Sequence, residues 1–147
     1  MASATDFVTA GKVIAVNDGV VVFSPRETTY ELYLKTAAGA ALPELNAPVQ
    51  ALIRAAARKI WTVPSGGNFI VPIQGPPKIV QGRVKFVDDR QLVLSAGANV
   101  VIDLPSADSG IDLPSGPIAL GTMVNATLLP GATVEFVSAG AVRAVVA

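Results

Sequence analysis

Cysteine and histidine are both absent from this chain. Without cysteine there can be no disulfide and no thiolate ligand, and without histidine the chain lacks the commonest metal ligand and general base. Charged residues make up only 15% of the sequence and aromatic residues only 5%, whereas a typical soluble domain carries about 25% charged residues. These absences favour a protein that is not an enzyme and that needs no metal or other cofactor.

Long apolar runs are missing as well. No stretch reaches the roughly 20 uninterrupted apolar residues of a membrane-spanning helix. The first residues include Asp6 and no basic segment, which is unlike a signal peptide. We therefore expect no membrane insertion, and a location in the cytoplasm or within a viral or other particle.

The charge balance points to protein partners. Hydrophobic residues make up 51% of the chain, and 11 basic residues balance 11 acidic ones, so that the net charge is zero. A general nucleic-acid binder would show a basic excess. Weak self-repulsion favours association instead. Burial of apolar surface against copies of the chain, or against other protein subunits, accounts best for this composition.

An internal repeat divides the chain. Residues 11–24 align without a gap with residues 82–95, at an offset of 71 residues and with six of 14 positions identical. Weaker matches follow in the same order and pair residues 30–34 with 100–104, 42–43 with 113–114, 49–51 with 124–126, 60–63 with 134–137, and 69–73 with 142–146. We interpret the chain as a tandem duplication, with one repeat at residues 8–74 and the other at residues 78–147.

Each repeat is predicted to be all-β. Short polar breaks at residues 17–19 and 88–90 separate β-branched runs, which is typical of hairpins. About five strands per repeat follow from the later turns, and five short antiparallel strands would close most economically into a small barrel, OB-like or similar, because closure removes exposed edges. The predicted core positions of the two opening hairpins are Val13, Val16, Val22, Val84, Val87 and Val93.

One segment has two interpretations. Residues 47–60 show apolar side chains at helical spacing after Asn46, a good N-cap, and so could form a short helix. The matching segment of the second repeat contains Pro130, which excludes a single helix there. The repeat favours a strand at both places, and local propensity favours a helix at the first.

Reactive groups are sparse in the sequence. Most acidic residues lie in predicted turns, where solvation explains them. The nearest approach to a calcium loop is the set Asp103, Asp108 and Asp112, but prolines interrupt it and no closing glutamate follows. The sequence therefore predicts no catalytic residue and no metal site, and these three aspartates are the first to test if a metal is found.

One cluster of side chains could bind nucleic acid: Arg54, Arg58, Lys59 and Trp61. Basic residues beside an aromatic ring could hold a phosphate backbone and stack a base, as on the face of an OB-like barrel. The alternative is that Trp61 packs in the core or in a subunit contact while the basic groups stay in solvent.

The leading hypothesis is a non-enzymatic structural or interaction protein. It would be a tandem β-barrel building block that self-assembles or coats a larger assembly such as a shell, virion or filament. The apolar loops at residues 37–45 and 113–120 are its candidate contact surfaces. The alternative hypothesis is an OB-like nucleic-acid-binding module that uses the first repeat.

Overall fold

A computed structural model describes residues 3–37, 39–106 and 108–137, with only the backbone at residue 108. Within them the chain forms one 12-stranded sheet. The strands are β1 (Thr9–Asn17), β2 (Val20–Pro25), β3 (Glu31–Lys35), β4 (Val49–Thr62), β5 (Phe69–Val71), β6 (Gln74–Gly75), β7 (Ile79–Val87), β8 (Gln91–Ser95), β9 (Asn99–Asp103), β10 (Ile111–Asp112), β11 (Met123–Leu128) and β12 (Thr133–Val137). Two 3-10 turns, Ala4–Asp6 and Asp108–Gly110, are the helical elements of this described part. The prediction of a nearly all-β chain is confirmed.

Strand pairing closes into two circuits that share β4. One circuit consists of β1, β2, β3, β12 and β4, and the other consists of β4, β11, β7, β8 and β9. The beginning of β4 pairs with β1 and β12, its middle with β9, and its end with β11. The short strands β5, β6 and β10 each pair with a single neighbour. Closure of this kind satisfies most backbone groups without leaving long exposed edges.

The sheet is mixed, which corrects the prediction of purely antiparallel pairing. The pairs β3–β6, β3–β12, β4–β9 and β4–β10 are parallel. Strand β12 comes from residues 78–147 but completes the first circuit, while β4 comes from residues 8–74 and completes the second. Two separate five-stranded barrels are therefore not confirmed. Strand β4 takes part in both circuits, because its 14 residues extend beyond the strands that pair with its beginning.

Residues Val49–Thr62 form a strand, so the helical alternative for residues 47–60 is wrong. Ala51, Ile53, Ala55 and Ala57 are buried in alternation, as expected for one face of a strand. Neighbouring strands lie along both edges of β4 and supply hydrogen bonds and packing. These tertiary contacts outweigh the local preference of an alanine-rich segment for a helix.

The two opening hairpins have the same register at the offset of 71 residues. Val13 lies opposite Phe23 and Val84 lies opposite Leu94, and a bulge follows at the next residue in both strands. The third strands, β3 and β9, match at a different offset from the hairpins. Leu34 lies opposite Val21, and Ile102 lies opposite Leu92, the residue equivalent to Val21. The structural equivalence of these strands therefore differs by two residues from the sequence match of residues 30–34 with 100–104, and a shift of two leaves every side chain on its predicted face.

The loops that precede β4 and β11 also end alike. The N–H of Asn46 donates to the carbonyl of Val13 at 2.8 Å, and the N–H of Gly121 donates to the carbonyl of Val84 at 2.9 Å. Both residues have a positive φ, 66° for Asn46 and 85° for Gly121. Asparagine and glycine are the residues that adopt this conformation most readily.

A single main apolar core contains side chains from both halves, including Phe23, Leu32, Leu94 and Ile102. Of the six hairpin valines predicted to be buried, Val13, Val84 and Val93 are buried, Val22 and Val87 are half-buried, and Val16 is 41% exposed. Val16 lies opposite a buried residue but next to the hairpin turn, where solvent reaches its side chain.

Candidate functional site

All four residues of the predicted nucleic-acid cluster lie on β4, but two of them are engaged by acids. Arg54 Nη2 lies 3.4 Å from Asp103 Oδ1, and Lys59 Nζ lies 3.1 Å from Asp112 Oδ2. Asp103 Oδ1 also accepts a hydrogen bond of 2.7 Å from Gln91 Nε2. These exposed pairs add little stability. Their effect is to neutralise two of the positive charges that would attract a phosphate backbone.

The cluster is extended along the strand rather than compact. A bulge leaves Arg58 without a residue opposite it, and both Arg58 and Lys59 are exposed. Arg54 and Trp61 stand about 23 Å apart at the strand rise of roughly 3.3 Å per residue. The structure therefore places the four side chains on one strand without bringing them together around a common point.

Trp61 begins a row of side chains that crosses three further strands. It lies opposite Asn125, Asn125 lies opposite Gln81, and Gln81 lies opposite Phe69. Asn125 Nδ2 donates to Gln81 Oε1 at 2.9 Å, and Gln81 Nε2 donates to the carbonyl of Gly67 at 2.9 Å. The two amides are only 8% and 9% exposed. The half-buried Trp61 thus adjoins a covered amide pair.

Three of the acidic residues make local contacts within the described part of the chain. Asp103 and Asp112 accept the ion pairs described above, and the side chain of Asp108 lies outside the described residues. The pKa of Asp88 is lowered because the backbone N–H groups of Arg90 and Gln91 both donate to its Oδ1 at 2.8 Å. In the part of the chain that the structure describes, no three acidic side chains come together as metal ligands would.

Large apolar side chains are exposed at matched places in the two halves. Leu45 is 54% exposed and Leu120 is 71% exposed, and they directly precede the equivalent residues Asn46 and Gly121. Leu42 and Leu113, which match in sequence, are 41% and 48% exposed. All four lie in the loops at residues 37–45 and 113–120, although residue 38 is outside the described ranges. The predicted contact loops do expose apolar surface.

Sequence reasoning missed a further exposed pair, Val71 and Ile73, at 41% and 58%. They lie at the end of β5 and just beyond it, and a cavity of about 810 Å³ runs beside them. A short apolar run at residues 69–73 is typical of a buried strand. Only the position of β5 at the outside of the sheet, paired with β7 alone, shows that one of its faces meets solvent.

Two grooves meet at the beginning of β1. One has a volume of about 470 Å³ and lies between β1, the end of β2 and the beginning of β4. The other, of about 280 Å³, continues past Asn99 and shares Ala10 and Arg26 with the first. Both are lined by mixed polar and apolar groups, and the larger groove includes Lys12 and Ser24, which lie opposite each other on β1 and β2.

Comparisons with protein-family models, with curated proteins and with solved structures found no match. None of the helical turns in the described ranges is long and apolar enough to cross a membrane.

Proposed function

We propose that this protein is a non-enzymatic building block that associates with copies of itself through the loops at residues 37–45 and 113–120. The observation that supports this most directly is the recurrence of the exposed pair Leu42 and Leu45 as Leu113 and Leu120. A single exposed leucine is ordinary on a monomer. Two in each of two matched loops offer the same apolar surface twice, which is a pattern expected of an interface.

The proposal includes a tandem duplication as the origin of the two halves. The shared hairpin register, the shared bulge and the matched loop ends support it. A chain with two equivalent contact surfaces can bind two neighbours at once. Such contacts extend into a shell or filament, or close into a ring, rather than stopping at a pair.

The composition of these loops favours a second copy as the partner. Residues 113–120 contain no charged side chain, and residues 37–45 contain only Glu44. An apolar contact there would bury few charges, so it avoids the desolvation cost of burying unpaired ions. The zero net charge of the chain removes long-range repulsion between copies.

The alternative, nucleic-acid binding through Arg54, Arg58, Lys59 and Trp61, has less support. Two of its three cations are paired with carboxylates, and its residues spread along β4. Binding of this kind is strongly weakened by salt, because it depends on the release of counterions from phosphates. Salt dependence therefore separates the two proposals.

The test is light scattering after size-exclusion chromatography over a range of protein concentrations, at low salt and at about 1 M salt. At about 1 M salt the Debye length is roughly 3 Å, so interactions between exposed charges are largely screened. We expect oligomers that persist in high salt. Substituting both Leu45→Ser and Leu120→Ser should weaken association by about tenfold or more, as each leucine buried at an interface contributes on the order of 1 kcal/mol.

The matched control is Leu129→Ser, because Leu129 is 42% exposed but lies outside both loops. This change should leave association as it is in the native chain. A strictly monomeric protein at high concentration, or a double variant that associates like the native one, would contradict the proposal. A polynucleotide complex that dissociates as salt rises and is lost in Arg58→Ala would support the alternative.

A further inference from the structure

Two patches of exposed leucines lie at opposite ends of strand β4. The first patch is Leu42 with Leu45, and the second patch is Leu113 with Leu120. The first patch lies in the loop that leads into β4 at Val49. The second lies in the loop that leads into β11 at Met123, whose carbonyl accepts a hydrogen bond of 3.0 Å from the N–H of Val63, just beyond the end of β4. The 14 residues of β4 span about 43 Å along the strand at roughly 3.3 Å per step, so a neighbour bound at one patch leaves the other accessible.

Charges of opposite sign adjoin the two patches. Glu44 directly precedes Leu45 and is exposed. Arg83 is exposed too, and its Nη1 donates a hydrogen bond of 2.9 Å to the carbonyl of Gly121, which directly follows Leu120. Neither Glu44 nor Arg83 belongs to an ion pair within the described ranges. A carboxylate therefore adjoins the first patch, and a guanidinium adjoins the second.

The two halves differ in these charges although their leucines match. Ala119 stands where the first half has Glu44, since each directly precedes the matched leucine. Asp112 adjoins the second patch, but the ion pair of 3.1 Å with Lys59 neutralises it. Lys12 holds the place of the arginine in the first half and lines the larger groove. The carboxylate outside an ion pair thus adjoins only the first patch of the described molecule.

We infer that the first patch of one copy binds the second patch of the next copy, so that Glu44 meets Arg83 of that neighbour. A contact between two first patches would bring two copies of Glu44 together, and a contact between two second patches would do the same with Arg83. Like charges across an interface disfavour association, whereas opposite charges set its register. This polarity rests on the proposed self-association and says which surface is the partner of which.

The apolar and charged groups have separate roles in this contact. Burial of the leucines supplies the affinity, because the apolar area removed from water is favourable in any orientation of the partners. Glu44 and Arg83 are exposed, so their ion pair lies at the rim and adds only a small contribution that selects the orientation. A head-to-tail contact between opposite ends repeats along a filament or closes into a ring.

The test uses variants that each lose one patch. One variant carries Leu42→Ser with Leu45→Ser, and the other carries Leu113→Ser with Leu120→Ser. Each variant alone should associate at least tenfold more weakly than the native chain. An equimolar mixture should form a dimer with one copy of each, because the intact second patch of one meets the intact first patch of the other. Light scattering after size-exclusion chromatography measures both results, and far-UV circular dichroism checks that both variants are folded.

The outcomes separate the polarity from self-association itself. If like patches bind each other, each variant alone dimerises through its remaining patch and mixing adds nothing, which would overturn the polarity but leave self-association in place. A mixture that stays monomeric while the native chain associates would also overturn the polarity. A native chain that is monomeric at high concentration would contradict the self-association and the polarity together.

Reversal of the two charges gives a second measurement. Glu44→Arg and Arg83→Glu should each weaken association by about two- to fivefold at low salt, and the chain with both changes should recover. Lys12→Glu is the matched control at the equivalent place of the first half, and it should not weaken association. These differences should shrink in about 1 M salt. A chain with both reversals that associates no better than either single variant would overturn the polarity.

Discussion

Gly11 and Gly82 each face the backbone carbonyl of a serine on the neighbouring strand, Ser24 for Gly11 and Ser95 for Gly82. A Cβ atom at either glycine would lie well inside van der Waals distance of that oxygen. The obstacle is backbone in a paired strand, so it cannot move aside as a flexible side chain would. The close approach explains why glycine recurs at this place in both hairpins.

Replacing either glycine by alanine should therefore destabilise the fold. We expect Gly11→Ala and Gly82→Ala each to lower the free energy of unfolding by about 1–3 kcal/mol, the range for overpacking in a tight site. Denaturant unfolding measures the change. Gly67→Ala is the control, because a Cβ atom there would meet no heavy atom within 4 Å. Equal stability of all three variants would show that the carbonyl contact is harmless.

The amide pair Gln81–Asn125 should show strong coupling. Gln81→Leu alone removes the acceptor of Asn125 Nδ2 and leaves a buried donor unsatisfied, which costs about 1–3 kcal/mol. Adding Asn125→Leu removes that donor as well, so the double variant should lose less stability than the sum of the two single changes. A double-mutant cycle by denaturant unfolding measures the coupling. Simple additivity would mean that the pair does not act as a unit.

Asp88 should make a small, pH-dependent contribution to stability. Its pKa is lowered by the N–H groups of Arg90 and Gln91, so the folded state favours the carboxylate. The contribution is present above the ordinary aspartate pKa of about 3.9 and is lost as pH falls through the lowered value. The difference in melting temperature between the native chain and Asp88→Ala should be constant from pH 7 to pH 5 and should shrink below about pH 4. A difference that grows in acid would reverse the assigned sign.

Much of the secondary structure and several surface features could be predicted because they depend on neighbouring residues. Period-two alternation and short polar turns identify the hairpins, and the 71-residue match predicts that Val13 and Val84 hold the same place. The exposure of apolar side chains such as Leu45 and Leu120 also agrees with the composition, because a chain with 51% hydrophobic residues has more of them than a small core can bury. The predicted nucleic-acid cluster rests only on the closeness of its four residues in the sequence, and an extended strand separates such residues in space.

Sequence by itself therefore determined the β class, the hairpins and the absence of cysteine and histidine chemistry. Only the tertiary structure decided that Val49–Thr62 is a strand, because its hydrogen-bond partners come from residues far away along the chain. Contacts between distant residues also produce the parallel strand pairs and place β4 and β12 in circuits with strands of the other half. The ion pair between Arg54 and Asp103 is a further contact of this kind. Strand order and register depend on how distant segments close around a shared core, and no local pattern encodes that choice.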